Sequence, residues 1–387
     1  MRPFEGIKVI DVTHVLAGPF AAYQLALLGA DVIKVEDPHE CDQSRESGSD
    51  HALSDAKMGL GFATQASNKR AITVNLKTAK GQEIIKRLAK DADVFVENYR
   101  AGAFKKLGLG YDVLSKINPK LIYCAMKGFL PGPYEHRPAL DEIVQFMTGL
   151  AYMTGPPGQP LRAGSSVVDI MGGVMGVVGI LAALRQRDRD GEGRKITSSL
   201  YESCAFLVAQ HMAAEVVAKL PVPPMPARRS AWCVYETFET RDGQMLFVGL
   251  TTNNIWKRFC EAFGLNDLLA DPALQTNEQR VEARARIVPI VAGVIKDHDM
   301  AHLCERFDTL DVPFSPVARP ADLFDDPHLN ANGSLGATTL PGGIATKLPK
   351  LPIRIDGEAF AFRANPPDAG QDTRAILDAL HAKEKKT

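Results

Sequence analysis

The stretch AGSSVVDIMGGVMGVVGIL, residues 163–181, holds one charged side chain, Asp169, in an otherwise apolar and glycine-studded run. A lone carboxylate in such surroundings is costly to ionise, and burial raises its pKa. Two roles fit the position. Asp169 can cap a helix, accepting from the amides of the turn that follows. It can also be a nucleophile toward an activated acyl group, kept ionised by the helix dipole while Gly172 and Gly173 let a bulky ligand approach the backbone. His14 ends the first strand-like run, either as a hydrogen-bonded strand-end histidine or as a contact at a binding edge. The basic pairs Lys69–Arg70 and Lys105–Lys106 stand near strand edges, where they are solvated or meet phosphates. The sequence holds no serine triad, HExxH, CxxC or P-loop pattern, so metal hydrolysis and ATP chemistry are not leading candidates.

The elements that position these groups alternate over the first 130 residues. Strand-like runs at 7–14, 31–36, 71–76, 94–98 and 121–128 are separated by helical patterns such as 19–29 and 80–92. That alternation predicts βαβ units and a parallel sheet, with ligands outside the carboxyl ends of the strands. The first strand–turn–helix superficially resembles a dinucleotide site. Its turn reads HVLAGP rather than GxGxxG, however, and Pro19 suits the first position of a helix rather than a phosphate cradle. A long helix follows Asp169, the polar turn 185–195 ends it, and a second helix spans 199–220. PVPPMPARR, 221–229, reads as a stiff linker. Beyond it come a hairpin over 235–250 turning at Asp242–Gly243 and helices at 254–264, 276–297 and 299–307. The expected layout is an α/β large domain from residues 1–200 and 331–387, a helical and proline-rich linker at 201–224, and a small α+β domain at 225–330.

Composition narrows the class. The 387 residues are 45% hydrophobic and 24% charged, with a net charge of −1, so no global field points to nucleic acid or an acidic membrane. The six cysteines are dispersed, as in a protein of the reducing cytoplasm rather than one held by disulfides or zinc. The N-terminus lacks a signal-peptide core, and the apolar run 170–184 is glycine-broken and short for a bilayer. A soluble cytoplasmic protein is the expectation.

Several stretches together resemble one family: GIKVIDVTHVLAGPFAAYQLALLGADVIKVE, NKRAITVNLKTAKGQEIIKRLAKDADVFVENYRAGAFKKLGL, LDEIVQFMTGLAYMTG, DIMGGVMGVVGILAAL and GEGRKITSSLYES. In order, and over nearly the whole chain, they are similar to the class III coenzyme A transferases. This is the formyl-CoA/carnitine-CoA transferase family, which also contains α-methylacyl-CoA racemases. The resemblance implies a Rossmann-like large domain, a small domain and an interlocked homodimer. It implies acyl-CoA and a free carboxylic acid as substrates, no permanently bound cofactor and no metal. It makes Asp169, which opens a D-x-x-x-G helix, the nucleophile. By position it carries CoA contacts onto His14, Val15, Leu16, Ala17, Lys69, Arg70, Lys77, Asn98, Tyr99, Ala103, Lys106, Leu107 and Lys127, and an acyl pocket onto Leu140, Asp141, Gly172 and Gly173. Two departures stand out. Family members often carry arginine after the Glu36 equivalent, where this chain has Asp37. The formyl-CoA type has glutamine where this chain has Leu16.

The racemase branch needs a His-Asp dipeptide where this chain has Leu140–Asp141, and a leucine cannot move a proton; His136 lies four residues upstream. CoA transfer is therefore favoured over racemisation. A third reading is a CoA-thioester-binding protein without turnover, with Asp141 or Glu142 merely capping a helix over 142–150. Leu16, Phe129, Leu140 and Met147 point to an acyl pocket more apolar than one for formate or oxalate, and the acid pair stays open.

Overall fold

In this computed structural model, which describes residues 2–228, 230–340 and 343–384, six parallel strands form the sheet that positions the candidate residues. They are β1 (Lys8–Asp11), β2 (Asp31–Glu36), β3 (Lys69–Thr73), β4 (Val94–Glu97), β5 (Ile122–Lys127) and β6 (Lys195–Ser199), in the order β3-β2-β1-β4-β5-β6. This is the order of doubly wound nucleotide-binding sheets, which reverse direction between β1 and β4 and open a crevice there. Successive residues of a strand point to opposite faces, and both faces are apolar. Val9, Val32, Val94, Val96, Ile122 and Cys124 pack with Ala21, Leu25, Val177 and Ile180 on one side. Ile10, Val35, Ile72, Phe95 and Tyr123 pack with Ile85 and Leu88 on the other. Strands covered on both faces read as continuous apolar runs, as in VFVE of β4, where every residue is buried.

Three strands depart from the sequence expectation, β1 ending at Asp11 rather than residue 14 so that His14 lies in the loop beyond it. β3 begins at Lys69 rather than residue 71, and β6 occupies residues expected to lie in a turn and a helix start. β3 is an edge, and the chain's end covers it. Asp372 Oδ2 accepts from Ala71 N, Thr373 Oγ1 accepts from Thr73 N, and the last helix (Thr373–Glu384) follows. Residues 385 and 386 of the expected terminal helix lie outside the described residues, as does Arg229 of the proline-rich stretch.

The Asp169 helix runs from Val167 to Asp190 and ends at Gly191 in the left-handed region, where glycine is unstrained. By length and composition it could cross a membrane. Here Val177, Ile180, Ala183 and Leu184 are buried in the core, and the helix packs on the first helix (Ala17–Leu27). The helix expected over 199–220 runs from Leu200 to Ala218. Leu200–Ala218 packs on the Asp169 helix because Cys204 and neighbouring side chains fill a small core with Val144 and Val168.

The chain divides into two compact units, residues 1–227 with 327–387, and residues 228–326. The second unit holds an antiparallel sheet of β7 (Tyr235–Glu239), β8 (Met245–Gly249) and β9 (Phe314–Pro316), with Gly243 at φ +77° in the β7–β8 turn. Its helices bury Trp256, Phe259, Ile287 and Phe307. The helix expected over 276–297 is two, Asn277–Glu282 and Arg284–Lys296, parted at Ala283.

Candidate active site

A cavity of about 860 Å³ lies over the carboxyl ends of the sheet strands, within the first unit. His14, Val15, Leu16, Ala17, Lys77, Asn98, Tyr99, Leu107, Lys127, Leu140, Asp169 and Gly172 all line it. The topology accounts for this: the loops after β1 and β4 flank the point where strand order reverses, and β5 and β6 add Lys127 and the Ser198–Leu200 edge.

The first loop is the most constrained part of the wall. Asn98 clamps His14 from both sides of its backbone, accepting from His14 N at 2.9 Å and donating to His14 O at 2.7 Å. The His14 ring meets Tyr99 Oη at 2.6 Å through Nε2. Burial, and secondarily the Lys34 charge, hold the His14 pKa below its ordinary value, so the ring is neutral at pH 7. Val15 sits at φ +70°, a region that crowds a β-branched side chain. It is held there by Asp42, which accepts from Val15 N at 2.9 Å, and by Gln65, which donates to Val15 O at 2.8 Å. Lys34, fully buried, donates to Thr13 O and pairs with Asp42 at 2.7 Å. Burial alone would push the Lys34 pKa down; the Asp42, Asp11 and Glu36 charges outweigh it and raise it. Asp42, in turn, is held far below the usual carboxylate range: burial opposes this, but Lys34 and the amides of Val15 and Ser44 prevail.

No sequence reasoning singled out Lys34 or Asp42. The available signal was one lysine inside DVIKVE, a strand otherwise destined for burial.

On the same cavity wall, Asp169 lies in the first turn of its helix, half-buried, and does not cap it. The helix N-cap residue, Ser166, makes no side-chain capping bond. Asp141 caps the helix from elsewhere in the chain, Oδ1 accepting from Val168 N at 2.8 Å and Asp169 N at 3.2 Å. Gln145, also buried, donates to Asp141 Oδ2 at 2.5 Å and accepts from Ala163 N at 2.8 Å, pinning the approach to the helix. The Asp169 carboxyl is pushed up to about 7, first by burial and then by the Asp141 and Glu142 charges, with Arg162 opposing. The expectation of a carboxylate kept fully ionised at its helix terminus is thus corrected: near pH 7 it is shared between its two forms.

Six expected contacts do not line the cavity. Lys69 is consumed beneath it, bonded to Asp11 Oδ2 at 3.0 Å and Pro19 O at 2.8 Å. Arg70 forms a bidentate pair with Asp31 at 2.9 and 2.7 Å. Asp31 opens β2, so this pair stands at the amino end of the sheet, opposite the cavity. The reason is the register: β3 begins two residues early, placing both basic residues before the carboxyl edge. On the short helix Ala103–Lys106 the inward residue is Phe104, stacked edge-on to Tyr99 and Phe95, and Lys106 is exposed; neither Ala103 nor Lys106 reaches the wall. Asp141 is the buried helix cap. Gly173 serves helix packing, since a Cβ there would lie 2.8 Å from Ala17 O. Phe129 and Met147, expected in the acyl pocket, are also off the wall. Lys127 does line it, but its ammonium is committed to both Glu97 oxygens at 2.7 Å and to Tyr99 O at 2.6 Å.

The wall therefore offers a carboxylate of shifted affinity, a rigid backbone loop at an uncapped helix start, and a neutral imidazole. The family model described as CoA-transferase family III matches residues 4–373. The chain is 33% identical over 379 residues to the succinyl-CoA:glutarate CoA-transferase of Mus musculus, covering 97% of this chain and 86% of that protein. It is also 33% identical to the succinyl-CoA–L-malate CoA-transferase beta subunit of Chloroflexus aurantiacus, covering 98% and 94%. A crystal structure of a CAIB/BAIF family protein from Brucella suis superposes with a TM-score of 0.87 at 29% identity, covering 98% and 99%. With the family model matched over residues 4–373, the chain belongs to CoA-transferase family III.

Proposed function

We propose that this protein moves CoA from an acyl-CoA thioester to a free carboxylic acid, with Asp169 as the covalent carrier. An Asp169 oxygen attacks the donor thioester carbonyl, the C–S bond breaks, and CoA thiolate leaves behind an aspartyl–acyl anhydride. The thiolate attacks the Asp169 carbonyl carbon, and the donor acid departs as a carboxylate. Asp169 now carries CoA as a thioester. An acceptor carboxylate oxygen attacks that thioester, expelling the thiolate and forming a second anhydride. Thiolate attack on the acceptor acyl carbon yields the new acyl-CoA and restores the Asp169 carboxylate. No proton or ATP is consumed.

The observation that carries this reading is Asp169 itself: a half-buried carboxylate on the wall of the same cavity as the first loop, with its pKa raised by burial. Poor solvation makes such a carboxylate a better nucleophile. The uncapped start of the first helix supplies amide donors for each oxyanion. His14, Val15, Leu16, Ala17, Asn98, Tyr99 and Leu107 form the CoA wall in this reading. The acids named for the relatives above, glutarate and L-malate, are dicarboxylates, and we extend that class to the acceptor here.

We further propose a homodimer. Phe206, Met212, Val216, Val217 and Leu220 are exposed along and just beyond one helix, with Val178 and Leu181 exposed on the helix it packs against. Apolar area on that scale marks an interaction surface; sedimentation at micromolar concentration should give twice the chain mass.

The test of the reaction is intact-protein mass spectrometry with succinyl-CoA and no acceptor. The wild type should gain a mass adduct that hydroxylamine converts to a hydroxamate at Asp169, and Asp169→Asn should gain none while still binding CoA. Exchange activity retained by Asp169→Asn refutes the proposal.

A further inference from the structure

Arg162 precedes the Asp169 helix and stands among the carboxylates of Asp141, Glu142 and Asp169. Its Nη1 donates to Glu142 Oε1 at 2.6 Å, and Nη2 stands 3.6 Å from Asp141 Oδ2. Its Nε is buried and has no hydrogen-bond partner. An unmade buried donor is destabilising, and a guanidinium presents its donors as a planar fork suited to a carboxylate. This guanidinium is therefore under-used as it stands. It is also close to the chemistry, because one carboxylate, Asp141, spans the gap between Arg162 and the backbone of Asp169. Its closest partner is replaceable: Glu142 is exposed, and an exposed ion pair contributes little to stability.

We propose that Arg162 recognises the second, non-reacting carboxylate of a dicarboxylic acceptor, exchanging Glu142 for that ligand once Asp169 carries CoA. The inference rests on the reaction proposed above and assigns a residue to its acceptor. Arg162 does not line the cavity now, so the exchange requires its side chain to turn from Glu142 toward the Asp169 end of the wall. The timing follows from charge. With Asp169 ionised, three carboxylates surround one guanidinium, and another anion is repelled. Esterification of Asp169 removes one of those negative charges, and the site accepts an anion it had excluded. The choice of carboxylate follows from chemistry. A guanidinium on the attacking oxygen would quench its nucleophilicity, whereas one on the remote carboxylate supplies binding energy without touching the reacting atoms.

The experiment compares glutarate with pentanoate, equal in carbon count but differing by one carboxylate, as acceptors for succinyl-CoA. The wild type should favour glutarate at least tenfold in kcat/KM. Arg162→Gln should abolish that preference through a rise of about tenfold in the glutarate KM, with the pentanoate KM unchanged and the covalent adduct still formed. Glu142→Gln, at an exposed position, should lower the glutarate KM severalfold, a direction that mere damage to the fold does not produce. The inference is overturned if Arg162→Gln weakens both acids alike, if Glu142→Gln raises the glutarate KM, or if the wild type shows no dicarboxylate preference. Should Arg162→Gln fail to fold, the Glu142→Gln result decides alone. A wild type that forms no adduct with succinyl-CoA instead refutes the underlying reaction.

Discussion

Asp141 holds Asp169 by its backbone and opposes it by its side chain. One oxygen accepts the amides of Val168 and Asp169, fixing the helix start, while the same negative charge adds to burial in lifting the Asp169 carboxyl to about 7. The free-enzyme kcat/KM should therefore climb tenfold per pH unit below about 7 and level above it. Asp141→Asn keeps an acceptor oxygen for the cap but removes the charge, and should move that limb to lower pH. A limb that stays in place would show that Asp141 has no electrostatic hold on Asp169.

The same shift has a stability signature. The folded pKa of Asp169 lies above its unfolded value of 3.8, so its proton favours the folded state at low pH, and that contribution is lost as pH rises through about 7. Asp169→Asn should consequently raise Tm at pH 8, by up to about 4 kcal/mol of stability, and change it much less at pH 4. Equal effects at both pH values would contradict the assignment.

The Lys34–Asp42 pair is expected to be stiff and unforgiving. Both side chains are fully buried, and removing one member of such a pair leaves an uncompensated charge, at about 3–5 kcal/mol. Asp42→Ala should lose that much stability and release Val15 from φ +70°. Val15→Gly removes the steric reason for the clamp and should partly restore the Tm of Asp42→Ala, measured by thermal denaturation of the double variant.

These particulars explain what could be foreseen. Asp169 was legible because a charge inside an apolar helical run violates the local pattern, and the β1, β2, β4 and β5 runs because doubly covered strands are uniformly apolar. β6 was not: KITSS is short and polar, and it is a strand only because β5 offers it a partner. Lys69 and Arg70 were misplaced because a two-residue error in a strand boundary moves side chains from one end of a sheet toward the other. Asp141 as the cap of a helix some 27 residues onward is a tertiary relationship, and local capping rules cannot find it.

Arg70 tests that boundary directly. Paired with Asp31 at the amino end of the sheet, it should tolerate Arg70→Ala with no more than a twofold change in the acyl-CoA KM and a loss of about 0–1 kcal/mol, as for half-exposed ion pairs. A tenfold rise in that KM would put Arg70 back among the phosphate contacts.

Adjacent glycines of the Asp169 helix should answer differently to the same substitution. At Gly173 a Cβ would sit 2.8 Å from the carbonyl of Ala17 and 3.0 Å from the Phe20 ring. A backbone atom cannot yield without moving the first helix, and with it the loop that carries His14 and Val15. At Gly172 the nearest atom is the Leu200 Cδ2 tip at 2.7 Å, which a rotamer change can withdraw. Alanine gains about 1 kcal/mol of helix propensity at either site, while overpacking costs about 1–3 kcal/mol where the neighbour is rigid. Gly173→Ala should therefore lower Tm and raise the acyl-CoA KM together, and Gly172→Ala should leave Tm unchanged or higher. Thermal denaturation with steady-state kinetics on the two variants separates a helix–helix contact from a cavity wall, and equal behaviour at both positions would mean that Gly173 does not set the approach of the first helix.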